Sequence, residues 1–376
     1  MPSAAPPVAD LPFLLRVLLA GGPAGPRRAL LERRGPPAPI DPALAVRLEA
    51  VPRAGIERCL AWLERPRHHL VGWGDPHYPP LLRQQAHAPL GLFVAGDPDL
   101  LWRPALAVVG SRAASAGGRD NPRHFARSFC RAGLVVASGL AAGIDAAAHE
   151  AALACGGSTV AVLGTGPDRA YPAAHAGLLR QVAESGAAVS EHPPGTPPRA
   201  VHFPGRNRII AGLALGTVVV EAAARSGALI TARLAAEAGR EVFALPGSIH
   251  HPQARGCHRL IRDGAQLVET PEEVLAGIAP LAGRLARELA PAAAADGAPS
   301  QAGTGPFCLP LMSARDHHTL WRALGHDPIP MDVLVERTGL TAAALSSMLL
   351  GMELDGRVAV EHGRYARRST GGGPFA

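Results

Sequence analysis

The sequence predicts an α/β protein: a central Rossmann-like doubly wound sheet, a small helical domain before it and a winged helix after it. Three patterns carry that expectation. Between residues 104 and 280, short runs apolar at every position alternate with amphipathic stretches, as strands of a parallel sheet do when helices cover both faces. Residues 1–80 instead show short helical periodicities broken by Gly-Pro and Pro-Pro. Residues 313–368 read as three helices and a β-hairpin, the pattern of a winged helix-turn-helix.

In the first segment, helical spacing covers 11–20, 26–33, 42–49 and 54–64. Residues 81–103 read as a connecting segment. In the α/β domain, strands are expected at 105–110, 134–138, 159–164, 187–190, 217–221, 241–245 and 266–268. The intervening helices are expected at 119–132, 143–154, 174–185, 206–213, 228–238 and 256–263. Residues 281–312 are dominated by Ala, Pro and Gly and read as a linker. Beyond it, helices are expected at 317–324, 331–338 and 342–354, the last with Thr341 as N-cap. A hairpin over 357–367 follows, and 369–376 read as a disordered tail.

The net charge is +6, and all 37 basic residues are arginine, with no lysine. Ala, Gly and Pro are enriched as well, a pattern of GC-rich coding, so the position of each arginine says more about an anionic partner than their number does. The five cysteines, Cys59, Cys130, Cys155, Cys257 and Cys308, form no CxxC pair and have no histidine at zinc spacing. They read as reduced thiols of a cytoplasmic protein, and no metal or cofactor is expected. The apolar run 11–20 is interrupted by Arg16 and preceded by Asp10 instead of a basic region, which argues against a signal peptide. No run reaches the 18 or so apolar residues of a membrane span.

The segment Phe203-Pro-Gly-Arg-Asn-Arg-Ile-Ile210 carries the strongest functional signal. Arg206 and Arg208 bracket Asn207 behind a proline-glycine turn, an arrangement suited to phosphate. Gly110-Ser111-Arg112 closes the first strand of the α/β domain, where a ligand crevice opens; glycine permits close backbone approach, serine adds a hydroxyl and arginine a bidentate fork. Without GxGxxG after that strand, and with Ser138-Gly139 instead of an acidic residue ending the next, a dinucleotide oxidoreductase is disfavoured.

The Gly-rich turn from Ser138 to Asp145 and the Ser226-Gly227 turn each lead into a helix, whose amino-terminal N–H groups suit anions. Three such loops on one sheet edge describe a groove wider than a nucleotide, better matched to a polymer. Asp145 and His149 share a helix face; a structural hydrogen-bonded pair is favoured over an acid/base couple, since no nucleophile accompanies them. Glu191 and Glu221 close strands, and ion pairing with Arg206, Arg208 or Arg225 is favoured over a glycosidase-like carboxylate pair. For Phe203, base stacking and a core role remain equally open, and Tyr171 is read either as packing over the crevice or as simple packing.

Taken in order, Gly110-Ser-Arg112, Ser138 to Asp145 with His149, Ala161 to Gly166 with Tyr171-Pro172, Ser190-Glu191, Phe203 to Ile210, Glu221, Ser226 to Ala232, Pro246-Gly247 and Leu260 to Ala265 closely resemble the DNA-processing protein A (DprA/Smf) family. The resemblance covers about 105–270. It implies a Rossmann-like domain flanked by an amino-terminal sterile-alpha-motif-like or helix-hairpin-helix-like domain and a carboxy-terminal winged helix. It also implies a non-enzymatic protein that binds incoming single-stranded DNA in natural transformation, shields it, and loads RecA recombinase onto it, with single-strand-binding protein as a further candidate partner. A homodimer through the Rossmann-like domain is implied too.

By motif, the DNA-contacting residues are Gly110, Ser111, Arg112, Ser138, Gly139, Arg199, Phe203, Arg206, Asn207, Arg208, Ser226 and Gly227, with no catalytic residue. Ala142 and His258 depart from the commoner family residues. Ala200 stands where some members are basic, with Arg199 beside it as a substitute. Two other readings compete. A Rossmann-like nucleotide phosphoribohydrolase would carry a Pro-Gly-Gly-x-Gly-Thr loop, which this chain lacks. A duplex-DNA regulator would read bases through 342–354, a stretch without arginine.

Overall fold

The computed structural model describes residues 11–32 and 40–293, and then 320, 323–324, 329–341, 345–346, 348–349, 352, 358–361 and 364–367. Contacts divide the chain into two units, 1–301 and 302–376.

The first unit begins with α1 (Leu11–Leu19), α2 (Ala24–Leu31), α3 (Pro42–Glu49) and α4 (Arg53–Leu63). Asp41 starts α3: its carboxylate accepts the Ala43 N–H at 2.9 Å, and Pro42 in the first turn has no N–H to leave unpaired. Val17, Leu30, Leu44 and Leu48 join the first three helices. Leu15, Ile56, Cys59 and Trp62 instead pack on Phe93, Ala161 and Leu163 of the sheet, so the helical segment shares its core with the α/β layers.

The sheet has nine strands: β1 (His68–Gly72), β2 (Gly91–Gly96), β3 (Ala105–Val109), β4 (Val135–Ser138), β5 (Thr159–Leu163), β6 (Ala187–Ser190), β7 (Gly216–Val219), β8 (Glu241–Ala244) and β9 (Gln266–Leu267). Their order is β1-β2-β6-β5-β4-β3-β7-β8-β9. From β6 to β9 neighbours run parallel, while β1 and β2 add an antiparallel edge. The strands β3 to β7 are buried at every position, as their continuous apolar runs require.

β1 and β2 fall in segments whose sequence suggested helix and connection. His68-His-Leu-Val-Gly72 lacks alternation because it is an edge strand, buried at only Val71 and Gly72. The short helix α5 (Pro80–Arg83) lies between them.

The helices α6 (Ala116–Arg131), α7 (Ile144–Ala154), α8 (Ala176–Ser185), α9 (His202–Leu213), α10 (Ala228–Glu237), α11 (Arg255–Arg262) and α12 (Pro271–Ala293) follow. On one face, Ile209, Ile210 and Leu213 of α9, Ala228 and Ala232 of α10 and Cys257 of α11 pack on Ala107, Val109, Val160 and Val162. On the other, Phe125 and Phe129 of α6, Ile144 and Ala148 of α7 and Ile278 of α12 pack on Leu106, Val108 and Val218. The sheet is therefore doubly wound. β3 has β4, β5 and β6 on one side and β7, β8 and β9 on the other, so the winding reverses between β3 and β7. Ligand crevices of such sheets open at the carboxyl ends beside that reversal.

Two expectations are corrected. The Phe203-Pro-Gly segment is no turn: α9 starts at His202, and Pro204 and Gly205 lie within its first turn. Proline is tolerated there because first-turn N–H groups have no intrahelical acceptor. The stretch read as linker from 281 is helical to Ala293, as its run of Ala, Leu, Arg and Glu favours.

The second unit contains a helix Met331–Thr338 that ends at Gly339, left-handed at φ 68°, whose N–H donates to Val335 C=O. The strands β10 (Ile329–Pro330), β11 (Val358–Glu361) and β12 (Arg364–Arg367) form a sheet in the order β10-β12-β11. The hairpin matches expectation, and β10 is an addition. Leu345, Met348, Leu349 and Met352 are buried with Leu320, Leu324, Leu334 and Val358, so the apolar residues of the third expected helix are core. The expected tail 369–376 lies outside the described residues.

Candidate nucleic-acid interface

At the carboxyl ends of β4 and β5 a cleft of about 700 Å³ opens, lined in part by Arg112, Gly139, Arg169, Tyr171, Phe203 and Arg206. Four loops build it, those after β3, β4, β5 and β6, together with the start of α8 and the first two turns of α9.

Its floor is Arg206, which is 6% exposed. The guanidinium donates through one Nη to the carbonyls of Gly139 and Val162, and its Nε donates to Asn207 Oδ1 at 3.1 Å. Burial lowers its pKa to about 10, opposed by the nearby Asp145 carboxylate. Asp145, buried at the start of α7, accepts the Gly139 N–H at 3.2 Å, and burial pushes its carboxyl upward from the ordinary range against the pull of Arg206. Gly139 is thus held on both sides. A Cβ there would stand 2.1 Å from the Arg206 guanidinium, so the close approach requires glycine.

The rim is different. Arg112 is exposed, and among the described residues its guanidinium pairs with no carboxylate. It lies 5.6 Å over the Phe203 ring, a cation–π contact. Phe203 is half-buried, and its ring meets Tyr171, itself 43% exposed, at 5.1 Å between centroids and a 45° tilt. Beside them His192 and His202 stack at 3.9 Å, and burial and the neighbouring His202 lower the His192 pKa to about 4. Arg169 enters the cleft from the loop after β5 and is exposed. Sequence reading missed Arg169; the signal was its place just after Gly164-Thr-Gly166 at a strand end.

The other sequence-selected residues sort by burial. Ser138 is fully buried and donates its hydroxyl to Val108 C=O at 2.6 Å, so it ties β4 to β3 and has no surface for a ligand. Gly110 and Ser111 shape the turn after β3. The Ser111 N–H donates to Glu221 C=O, and its hydroxyl accepts the Ala113 N–H. Asn207, 9% exposed, donates to Gly227 C=O at 3.4 Å and so links α9 to the start of α10. Ser226 accepts the Ala228 N–H at that start. Ser226, Gly227 and the exposed Arg199 do not line the cleft.

Arg208 pairs with Glu191 and donates to His87 C=O, which answers which arginine meets a glutamate. Glu221 behaves otherwise: it accepts from the Ser115 N–H at 3.0 Å and the Ser115 hydroxyl at 2.6 Å. Asp145 and His149 do not bond each other, contrary to expectation. Thr159 gives its hydroxyl proton to Val136 C=O, so the His149 Nδ1–H must be the donor in its 2.7 Å contact with Thr159. Among the described residues the buried His149 Nε2 has no partner.

Residues 69–279, more than half of the chain, match the family described as DNA recombination-mediator protein A, and residues 289–364 match the DprA winged helix domain. The chain belongs to the DprA family. Relatives of this DprA-family chain include Protein Smf of Escherichia coli, 43% identical over 327 residues that cover 86% of this chain and 83% of that protein. DNA processing protein DprA of Streptococcus pneumoniae is 49% identical over 202 residues, 54% of this chain and 71% of that one.

The X-ray structure of the DprA from Streptococcus pneumoniae superposes with a TM-score of 0.59 at 39% identity, covering 70% of this chain and 92% of that one. DNA processing protein A from Helicobacter pylori, solved for its single-stranded DNA binding mode, superposes at 0.51 with 25% identity, over 57% of this chain and 95% of that one. Among the described residues, no helix is long and apolar enough to cross a membrane.

Proposed function

We propose that this chain is a non-catalytic, cytoplasmic single-stranded DNA-binding protein that protects incoming DNA and loads RecA recombinase during natural transformation. The observation that carries the reading is the rim of the cleft: an exposed arginine, with no carboxylate partner among the described residues, stands over an aromatic face. A cation beside a half-exposed ring is what a single strand requires, since phosphate needs charge and an unpaired base needs a face to stack on. Duplex DNA keeps its bases stacked and offers no such face. The Helicobacter pylori relative, solved for single-stranded DNA binding, supports the same assignment.

In this reading Arg112, Phe203, Tyr171 and Arg169 meet the strand directly. Arg206, Asn207, Gly139 and Ser138 hold the walls, and Arg199 and the Ser226-Gly227 turn lie farther along the edge as secondary contacts. A homodimer through the α/β domain would put two clefts on one strand, and single-strand-binding protein is the competitor to be displaced when RecA is loaded.

Fluorescence anisotropy with single- and double-stranded oligonucleotides at two salt concentrations tests the binding. Single strands should bind more tightly, with affinity falling as salt rises. A RecA filament assay on strands coated with single-strand-binding protein tests the loading, and no stimulation there would remove the loader role while leaving the binding intact.

A further inference from the structure

A second pocket, of about 250 Å³, is lined among others by Ser115, Gly118, Asn121, Glu221, Ser248 and His251. It lies beyond the carboxyl ends of β7 and β8, against the start of α6 and beside the reversal where doubly wound sheets hold ligands, yet the cationic residues gather elsewhere. Arg112 lines the larger cleft and Ser115 lines this pocket. The β3–α6 loop is therefore a wall common to both, and three residues of chain span at most about 11 Å.

The chemistry of the pocket is set by Glu221. Its carboxylate is half-buried, accepts two hydrogen bonds from Ser115, and pairs with no cation among the described residues. Glu191, at the end of β6, is by contrast engaged by Arg208. An ionised carboxylate has about four lone-pair sites, so Glu221 keeps acceptor capacity toward the pocket. Gly118 keeps the approach open, because a Cβ there would stand 2.3 Å from that carboxylate. A phosphate is repelled by such a floor, whereas an exocyclic amine satisfies it, as carboxylates accept from the cytosine N4 amine.

We infer that this pocket receives one nucleobase of the strand that crosses Arg112 and reads its exocyclic amine through Glu221, favouring cytosine over thymine. The inference rests on the single-strand reading proposed above. Asn121, Ser248 and His251 supply the polar rim, and His251 already accepts the Gln253 N–H through Nδ1, which orients its ring.

The test is anisotropy with labelled oligo(dC) and oligo(dT) of equal length on the full chain and on Glu221→Gln, Gly117→Leu and Arg112→Ala, each checked for folding by thermal melting. Gly117 lines the pocket from α6 and its added Cβ meets nothing within 4 Å, so there is room for a leucine at the pocket wall. The parent should prefer oligo(dC) about fivefold. Gly117→Leu and Glu221→Gln should bring the ratio near one, while Arg112→Ala weakens both oligonucleotides and keeps the ratio. Equal binding of both by the parent, or an unchanged ratio in Gly117→Leu, overturns the inference while the single-strand reading stands. A parent that binds neither oligonucleotide overturns both.

Discussion

The floor and the rim of the main cleft are each built around an arginine, and the two arginines have opposite surroundings. Arg206 is buried, satisfied by backbone carbonyls and faced by Asp145. Arg112 is exposed, bonded to no carboxylate among the described residues, and rests on an aromatic ring. The difference teaches that a cation in a binding motif can serve the fold or the ligand. Burial and partners separate the two roles; residue type does not. The floor arginine ties the loop after β4 to strand β5, and in the proposed reading the rim arginine is the one that meets phosphate.

The comparison can be broken most forcefully at the floor. Arg206→Ala leaves Asp145 without its facing charge and two buried carbonyls without a donor, and should cost about 3 to 5 kcal/mol of stability, read from the urea unfolding midpoint. A small shift would mean that the floor is not structural. The next largest effect is pH. His149 is kept neutral by burial, with its pKa lowered to about 3 from an ordinary 6.5.

Below about pH 6.5 the unfolded chain takes up a proton that the folded chain refuses until about pH 3. The stability is therefore fully present above 6.5 and is lost as pH falls toward 3, at about 1.4 kcal/mol per pH unit. Between pH 6.5 and 5 this site should account for about 2 kcal/mol, and His149→Leu should flatten that part of the profile.

At the rim, the effects appear in binding. Phe203→Ala should weaken single-strand affinity by about 1 to 3 kcal/mol, the scale of one base–aromatic stack, and oligonucleotides carrying an abasic position should narrow the gap to the parent. The smallest effect is expected at the half-buried Arg208–Glu191 pair. Glu191→Gln should change the melting temperature only slightly, since partly exposed ion pairs are worth about 0 to 1 kcal/mol. A large loss there would move Arg208 from the surface ledger into the floor.

The parallel strands were readable because a strand buried on both faces must be apolar throughout, and β3 to β7 end within one or two residues of their expected limits. Edge strand β1, fully buried at only two of its five residues, had no such signature. The start of α9 was hidden because Pro204-Gly205 punctuates chains almost everywhere except a helix's first turn.

That hidden start explains why the sequence offers Arg206 and Arg208 alike as partners of a glutamate. Residues two apart on a helix point to different sides, so Arg206 turns under the sheet loops and Arg208 turns toward Glu191. In a turn no such rule applies. The pairing of Arg112 with Phe203 joins residues far apart in the chain, and the sequence could offer each separately but not their contact.

The most direct test of the division between rim and floor is a salt titration of single-strand binding by the parent and Arg112→Ala, with melting temperatures measured alongside. The rim assignment predicts weaker binding, a slope of log affinity against log salt shallower by about one phosphate contact, and an unchanged melting temperature. An Arg112→Ala protein with the parent's slope and affinity, or one that loses binding only because it unfolds, would contradict it.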